Sequence, residues 1–180
     1  MHLLINIIGF QIGWFACVLG AANYVPLVGP IVVAVVVSFH LSQASRPLCE
    51  LMLVCAAGLM GAVWDSALVT AGLLEYPSGN FLTGFAPFWI ITMWMLLATT
   101  LNVSLRWLRK RTIFAAVLGG FFGPLAFYAG SEFGGVIFVD QIVGLIVLAL
   151  GWAVIMPALS VLSARLDGMA VVAASEVGCV

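Results

Sequence analysis

The stretch LMGAVWDSALVTAGLL, residues 59–74, places Asp65 in the middle of an apolar run that is long enough, with its flanks, to cross a lipid bilayer. A transmembrane helix needs about 20 mostly apolar residues. A carboxylate at such a depth costs at least about 2.5 kcal/mol on insertion scales, so it marks a candidate functional residue. The stretch therefore predicts a membrane helix that carries an interior polar site.

The composition of the whole chain also indicates a membrane protein. Hydrophobic residues make up 64% of the 180 residues and charged residues only 7%, and the mean hydropathy is +1.25. Soluble domains carry about 25% charged residues, so a soluble fold is excluded. The net charge of -1 provides no basic surface for nucleic acid, and the sequence has no nucleotide-binding loop, nucleophile elbow or zinc-protease motif. We expect no nucleic-acid partner, no cofactor and no metal.

Six apolar runs predict an all-α fold, a polytopic transmembrane helical bundle of about six spans. The runs cover residues 3–22, 25–41, 48–72, 86–105, 112–130 and 141–163. The connections between them are short, so no soluble domain fits between the runs. We expect one six-helix transmembrane domain over residues 1–165, followed by a short cytoplasmic tail over residues 166–180.

The basic residues predict the orientation of the bundle. Arg46 lies between the second and third runs and Arg165 follows the sixth, while four more lie between the fourth and fifth: Arg106, Arg109, Lys110 and Arg111. Under the positive-inside rule these segments and both termini are cytoplasmic. The opposite connections contain acids but neither Lys nor Arg. On that side we expect an aromatic series along the membrane interface, namely Tyr76, Phe81, Phe85, Phe88 and Trp89.

Small residues share one helical face with Asp65. Offsets of three, four and seven return to the same side of a helix, which groups Gly58, Gly61, Asp65, Leu68 and Gly72. Because small residues let another helix approach closely, we expect Asp65 to face the bundle interior. As the only acid well inside a run, it is our candidate catalytic residue. Two structural alternatives stay open: a protonated Asp65 bonded to a neighbouring helix, or an Asp65 that reaches interfacial water.

Other polar residues of the runs are candidates for an interior ligand-binding site. They are Asn6, Gln11, Trp14, Asn102, Ser104 and Tyr128. Gln11 and Trp14 share a face at i, i+3, and Asn102 is expected to share one with Arg106 at i, i+4. Hydrogen bonding between helices is the alternative interpretation for the amides.

Three further features are interpreted as structural. The GxxxG pattern of Gly119 and Gly123, followed by Pro124, favours close helix packing with a kink over a broken helix that lines a cavity. His40 is expected to face lipid headgroups, and Asp140 to cap the sixth helix. The glycine-rich faces also offer a surface for a membrane-protein partner.

Several short motifs, taken together, resemble a known family. They extend over nearly the whole chain: Asn6, Gln11 and Trp14; Asp65 and Ser66; TLNVSLRWL at residues 100–108; Gly123 and Pro124; Tyr128 and Gly130. This set resembles an uncharacterised bacterial inner-membrane family, domain of unknown function 2878. The resemblance implies a compact polytopic protein of a Gram-negative inner membrane. It also implies a role in membrane-lipid metabolism, through gene neighbourhoods that contain fatty-acyl or cyclopropane-type lipid-modifying enzymes.

Three functions are compatible with these observations. The favoured hypothesis is an accessory protein or enzyme of membrane-lipid or fatty-acyl metabolism, in which the polar site around Asp65 binds or processes an acyl chain. The first alternative is a small transporter or channel in which Asp65 carries a proton or cation, although the two similar halves of an inverted-repeat transporter are not visible. The second is a structural subunit of a membrane complex, docked through its glycine faces.

Overall fold

The structure is a computed structural model that describes residues 2–169, and the rest of the predicted tail lies outside the described residues. Six α-helices occupy the six predicted runs, which confirms the nearly all-α bundle. Two two-residue strands join the loops at one end. In chain order the elements are α1 His2–Ala22, α2 Val28–Ser42, α3 Pro47–Thr70, β1 Leu74–Glu75, α4 Phe88–Leu101, α5 Thr112–Glu132, β2 Ile137–Phe138 and α6 Gln141–Arg165.

The helices differ in their ability to cross a membrane. By length and composition α1, α3, α5 and α6 are long and apolar enough to do so. The other two, α2 and α4, have 15 and 14 residues. At 1.5 Å per residue these two are shorter than the roughly 30 Å hydrocarbon core of a bilayer.

The end of α4 differs from the prediction. The helix stops at Leu101, because the Thr100 carbonyl accepts bonds from the amides of Val103 at 3.2 Å and Leu105 at 2.8 Å, which closes a turn. The predicted i, i+4 pairing of Asn102 with Arg106 is therefore wrong. The turn instead directs the Asn102 side chain toward α3, where it reaches an acid described below.

Consecutive helices pack as hairpins, and α4 is the central element. The pairs α1 with α2, α3 with α4 and α5 with α6 are in contact, and α4 also contacts α1, α2 and α6. Its buried side chains include Trp89, Trp94 and Leu96, which are at most 3% exposed. The described contacts between α1 and α5 are too few to form a packed interface, so these two helices stand apart, α1 packed on α2 and α4 and α5 packed on α6.

Glycines allow the closest helix contacts. A Cβ atom at Gly61 would overlap the indole of Trp94, and a Cβ at Gly123 would overlap that of Trp152. Gly119 likewise lies against Met156 of α6, and α5 continues unbroken through Pro124. The interpretation of the GxxxG pattern as close packing is confirmed. These glycine faces are covered within the chain, so contact with a partner protein through them stays a prediction.

The outer loops are ordered by contacts that the sequence did not predict. Strand β1 pairs antiparallel with β2, with Leu74 opposite Phe138. The Val143 amide donates to Asp140 Oδ1 at 3.0 Å, which confirms the predicted cap of α6.

The aromatic series of the longest outer loop divides between surface and core. Phe81 and Phe85 are 80% and 59% exposed, in keeping with an interfacial position. Tyr76 and Trp89 are 7% and 0% exposed, so their predicted interfacial position is wrong. Both have buried polar tips that find partners inside the bundle, since Trp89 Nε1 donates to the Ser78 carbonyl at 3.1 Å and Tyr76 reaches Asp65.

Candidate functional site

The gap between α1 and α5 forms a groove of about 670 Å³. Its walls come from α1 and α5, and its floor from α4 and α6. The volume falls within the range of about 300–1,000 Å³ that is typical of small-molecule sites. The residues that line it most prominently are Phe10, Gln11, Trp14, Trp94, Phe122, Ala126 and Trp152.

The lining of the groove is almost entirely apolar. Among the described lining residues there is no His, Asp, Glu, Lys, Arg, Ser or Tyr, and Gln11 supplies the one side-chain amide. Gln11 is exposed and lies on the same wall as Trp14, as their i, i+3 spacing predicted. At one end Trp14 makes an edge contact with Phe133, with ring centroids 6.1 Å apart. Such a groove suits a long apolar ligand that carries few hydrogen-bonding groups.

Asp65 lies behind the floor of this groove, not in it. Its side chain is 0% exposed and accepts two hydrogen bonds, from Tyr76 Oη to Oδ1 at 2.7 Å and from Trp94 Nε1 to Oδ2 at 2.6 Å. Gly61, one turn earlier on α3, provides the space for the Trp94 indole. We call Asp65, Tyr76 and Trp94 the Asp65 cluster. Each carboxylate oxygen of Asp65 accepts one of these hydrogen bonds, so Asp65 fixes the positions of the Tyr76 phenol and the Trp94 indole.

The Asp65 cluster is coupled to the groove by aromatic contacts. The Trp94 ring stacks on Trp152 with centroids 4.5 Å apart and planes inclined by 11°. The Tyr76 ring makes an edge contact with Trp89 at 5.6 Å. Trp89, Trp94 and Trp152 all line the groove. Asp65 therefore holds in place the aromatic surface that a bound ligand would touch.

A second buried polar cluster surrounds Glu50 at the other end of α3. The Glu50 side chain is 0% exposed, and Oε2 lies 2.8 Å from Nε2 of His40 on α2. Oε1 accepts from Asn102 Nδ2 at 2.5 Å and from the Gly168 amide at 2.8 Å. We call Glu50, His40 and Asn102 the Glu50 cluster. A carboxylate and an imidazole are both metal ligands, but the described residues bring no third His, Cys, Asp or Glu to them.

Three arginines extend the Glu50 cluster to the segment after α6. Arg46 donates to the Asp167 carbonyl at 2.9 Å, Arg109 NH1 donates to Asp167 Oδ2 at 2.7 Å, and Arg106 donates to the same oxygen. Arg109 also donates to Asn102 Oδ1. Residues 166–169, predicted as the start of a tail, thus return to the end of the bundle.

The electrostatics of Asp167 follow from these contacts. Burial raises the pKa of the Asp167 carboxyl. The hydrogen bond and charge of Arg109, the charge of Arg106 and the Met169 amide together lower this pKa by more than burial raises it. The pKa of Asp167 therefore lies below its usual value. Asp167 consequently stays ionised at neutral pH, which keeps both guanidinium contacts charged.

The Glu50 cluster is not predicted by any pattern in the sequence. Asp65 was identified as the only acid well inside a run, yet Glu50 is equally buried. Glu50 stands in the first turn of α3, where an acid is ordinarily explained by the helix dipole. His40 is 5% exposed and bonded to Glu50, so it is not the surface residue that was predicted. The available signal was the short connection between α2 and α3, which brings residues ten positions apart to face each other.

The remaining candidate residues do not join one site. Asn6 Nδ2 donates to the Thr99 carbonyl at 3.0 Å, which is a hydrogen bond between helices. Ser104 Oγ lies 3.5 Å from the Thr100 carbonyl in the turn after α4. Tyr128 is 37% exposed on α5 and is not among the described hydrogen-bond partners of Asp65. The structure thus distributes the predicted residues over the groove, the two clusters and the surface.

Comparison with protein families gives one match. The model of a family described as "Protein of unknown function (DUF2878)" matches residues 3–158. Comparison with curated proteins and with solved structures finds no match.

Proposed function

The chain belongs to the DUF2878 family of proteins of unknown function, and we propose that it is a multi-pass membrane protein that binds the acyl chain of a lipid in the groove between α1 and α5, which we call the acyl groove. The observation that carries the proposal is the groove itself, about 670 Å³ of almost purely apolar space between helices. An acyl chain is the most abundant long apolar ligand in a bilayer, and it needs no more than one polar contact.

A membrane location is supported by the outer surfaces of the helices. Large apolar side chains such as Leu59, Ile113 and Val154 are 68%, 78% and 70% exposed. Soluble monomers rarely expose large contiguous apolar patches, whereas hydrocarbon covers them at no cost. We propose six spans in a bacterial inner membrane with both termini in the cytoplasm. The two short helices, α2 and α4, would cross as part of the bundle.

The proposed orientation gives a topology prediction. A cytoplasm-active reporter fused after Lys110 is expected to be active, because the segment around Lys110 holds four of the six basic residues. The same reporter fused after Gly134, in the acidic connection before α6, is expected to be inactive. A periplasm-active reporter should give the opposite pattern. The topology would be contradicted if one reporter were active at both positions, or if the cytoplasm-active reporter were active only after Gly134.

The geometry favours an accessory protein of membrane-lipid metabolism over an enzyme. No described lining residue of the groove can transfer a proton at neutral pH. Asp65 remains the candidate closest to the groove, and in this proposal it acts as a positioning residue through Trp94. Transport of a proton or cation through Asp65 stays an alternative, but no observation favours it.

Filling the groove is expected to abolish ligand binding. Ala126 is an exposed groove residue of α5, so Ala126→Trp places an indole in the open space without displacing a packed side chain. We expect native mass spectrometry of the wild-type protein in a mild neutral detergent to show a bound lipid. In Ala126→Trp the lipid-bound fraction should fall by about tenfold or more, since an indole displaces many dispersion contacts.

The matched control introduces the same side chain elsewhere on the same helix. Val117 is 62% exposed and does not line the groove. Val117→Trp is therefore expected to bind lipid like the wild type. If a strain that lacks the protein has lost a lipid species, we expect wild type and Val117→Trp to restore that species. Ala126→Trp should not restore it. Equal lipid binding by both variants would exclude the groove as the site.

A further inference from the structure

We propose that a second cavity, between α1 and α2 at the basic end of the bundle, binds a phosphate ester, namely the headgroup of a membrane phospholipid. The cavity has a volume of about 750 Å³ and lies on the other flank of α1 from the acyl groove. The two cavities share no described lining residue. Each site can therefore be tested alone, although the choice of a lipid as the ligand rests on the membrane orientation proposed above.

The lining of the headgroup cavity has an apolar part and a polar part, as a phospholipid molecule does. On the helix surfaces it consists of exposed apolar side chains, among them Leu3, Val35 and Phe39, which are 51%, 66% and 48% exposed. Toward the end of the bundle it becomes polar, with His40, Gln43, Ser45, Asn102 and Arg106. A ligand that follows this division has an apolar chain along the helices and a polar head at their end.

Arg106 is the group that would bind the phosphate. Its side chain is 43% exposed, and among the described residues it donates one hydrogen bond, to Asp167 Oδ2. A guanidinium has five N–H donors in a planar fork. The remaining donors suit two oxygens of one phosphate, a bidentate geometry that a lysine ammonium does not offer.

The charges around the cavity favour an anion. Arg106 and Arg109 share a single carboxylate oxygen of Asp167. The described partners of the Glu50 carboxylate are His40, Asn102 and the Gly168 amide, so no described guanidinium is bonded to it. Among the described residues, one positive charge of the arginine pair is thus without a carboxylate of its own. A phosphate diester, with one negative charge, compensates it.

The position of the cavity favours a lipid over a soluble phosphate. Its polar part lies at the end of the helices that carries most of the basic residues, where headgroups of the cytoplasmic leaflet are expected. Basic pockets between transmembrane helices on this side commonly accept lipid headgroups. The apolar side chains of α1 and α2 beside Arg106 would contact the first part of the acyl chains.

Native mass spectrometry of the full chain can test this site directly. The experiment uses the Ala126→Trp background, in which the acyl groove is filled, and titrates phosphatidylglycerol or free glycerol phosphate. We expect one phosphatidylglycerol to bind, and Arg106→Gln to weaken this binding by about tenfold, the usual effect of losing a charged hydrogen bond. Lys110→Gln removes an equal charge from an exposed neighbour that does not line the cavity, and should leave the affinity unchanged.

A second pair of variants leaves the arginine network untouched. Val35 lines the cavity, whereas Ile31, on the same helix and 65% exposed, does not. Val35→Trp should weaken phosphatidylglycerol binding and Ile31→Trp should not. If glycerol phosphate binds as tightly as the lipid, the phosphate site stands and its source is a soluble ester. Equal affinities in Arg106→Gln, Val35→Trp and both controls would overturn the proposal.

Discussion

Replacement of Asp65 by leucine is expected to destabilise the folded protein by about 2–4 kcal/mol, because two buried donors lose their common acceptor. Tyr76 Oη and Trp94 Nε1 lie 2.7 Å and 2.6 Å from the two carboxylate oxygens. Neither residue is more than 7% exposed, so water cannot replace the lost acceptor. A buried donor left unsatisfied costs about 1–3 kcal/mol. The measurement is the free energy of unfolding in mixed micelles, followed by tryptophan fluorescence.

Asp65→Asn is the matched control for this prediction. The amide oxygen of asparagine can accept from Trp94, and its NH₂ group can donate to the Tyr76 hydroxyl oxygen. Only the Tyr76 O–H then lacks an acceptor, so we expect a smaller loss than in Asp65→Leu, about 1–2 kcal/mol. If Asp65→Leu unfolds at the same denaturant concentration as the wild type, the Asp65 cluster has no structural role. The proton-carrying alternative for Asp65 would then become the better explanation of a carboxylate at this depth.

Replacement of Glu50 by leucine is expected to have a still larger effect, about 3–5 kcal/mol, since it removes the acceptor of three buried partners. His40, Asn102 and the Gly168 amide are all within 2.8 Å of the Glu50 oxygens. The loss should also release residues 166–169 from the end of the bundle. Unfolding in mixed micelles measures the stability, and hydrogen exchange at the Gly168 amide measures the release.

Glu50→Gln separates the loss of hydrogen bonds from the loss of charge. Its amide oxygen can still accept from Asn102 and Gly168, and its NH₂ group can donate to His40 in the neutral tautomer that presents a lone pair. We expect this variant to retain a protected Gly168 amide. Fast exchange at Gly168 in Glu50→Gln would indicate that the charge of Glu50 is required. An unchanged unfolding curve for Glu50→Leu would contradict the structural role of the cluster.

The two clusters act at opposite ends of one helix. About 22 Å of α3 separates Glu50 from Asp65 at the rise of an α-helix. Between them α3 buries apolar residues, among them Leu53, Val54 and Ala57. The clusters fix α3 against α2 and α4 at one end, and against α4 and the outer loop at the other. Because they share no partner, the free-energy changes of Asp65 and Glu50 variants should be additive.

The positions of the helices could be predicted because hydropathy is a property of the local sequence. Each apolar run differs clearly in composition from the segments beside it, and each ends where turn-forming or charged residues begin. The cap at Asp140 was predictable for the same reason, since it depends on residues three positions apart. The early end of α4 was not, because Asn102 leaves the helical course to reach Glu50 on another helix.

The site could be predicted only in part. The glycine face around Asp65 correctly placed that acid inside the bundle, since helical periodicity alone relates Gly58, Gly61 and Asp65. It gave no means of finding the partners of Asp65, which lie 11 and 29 positions away along the chain. Tyr76 was assigned to the interface because an aromatic residue in a loop beside a membrane ordinarily lies there.

The sequence by itself determined that this protein is a bundle of six apolar helices with polar residues inside, because apolar length and period are encoded locally. Only the tertiary structure decided which polar residues meet and where a ligand can bind. The Glu50 cluster joins α2, α3 and the turn after α4. The acyl groove exists because α1 packs on α2 and α4 and α5 packs on α6, while α1 and α5 do not pack on each other. Such contacts depend on how whole helices are arranged in space, which no local pattern specifies.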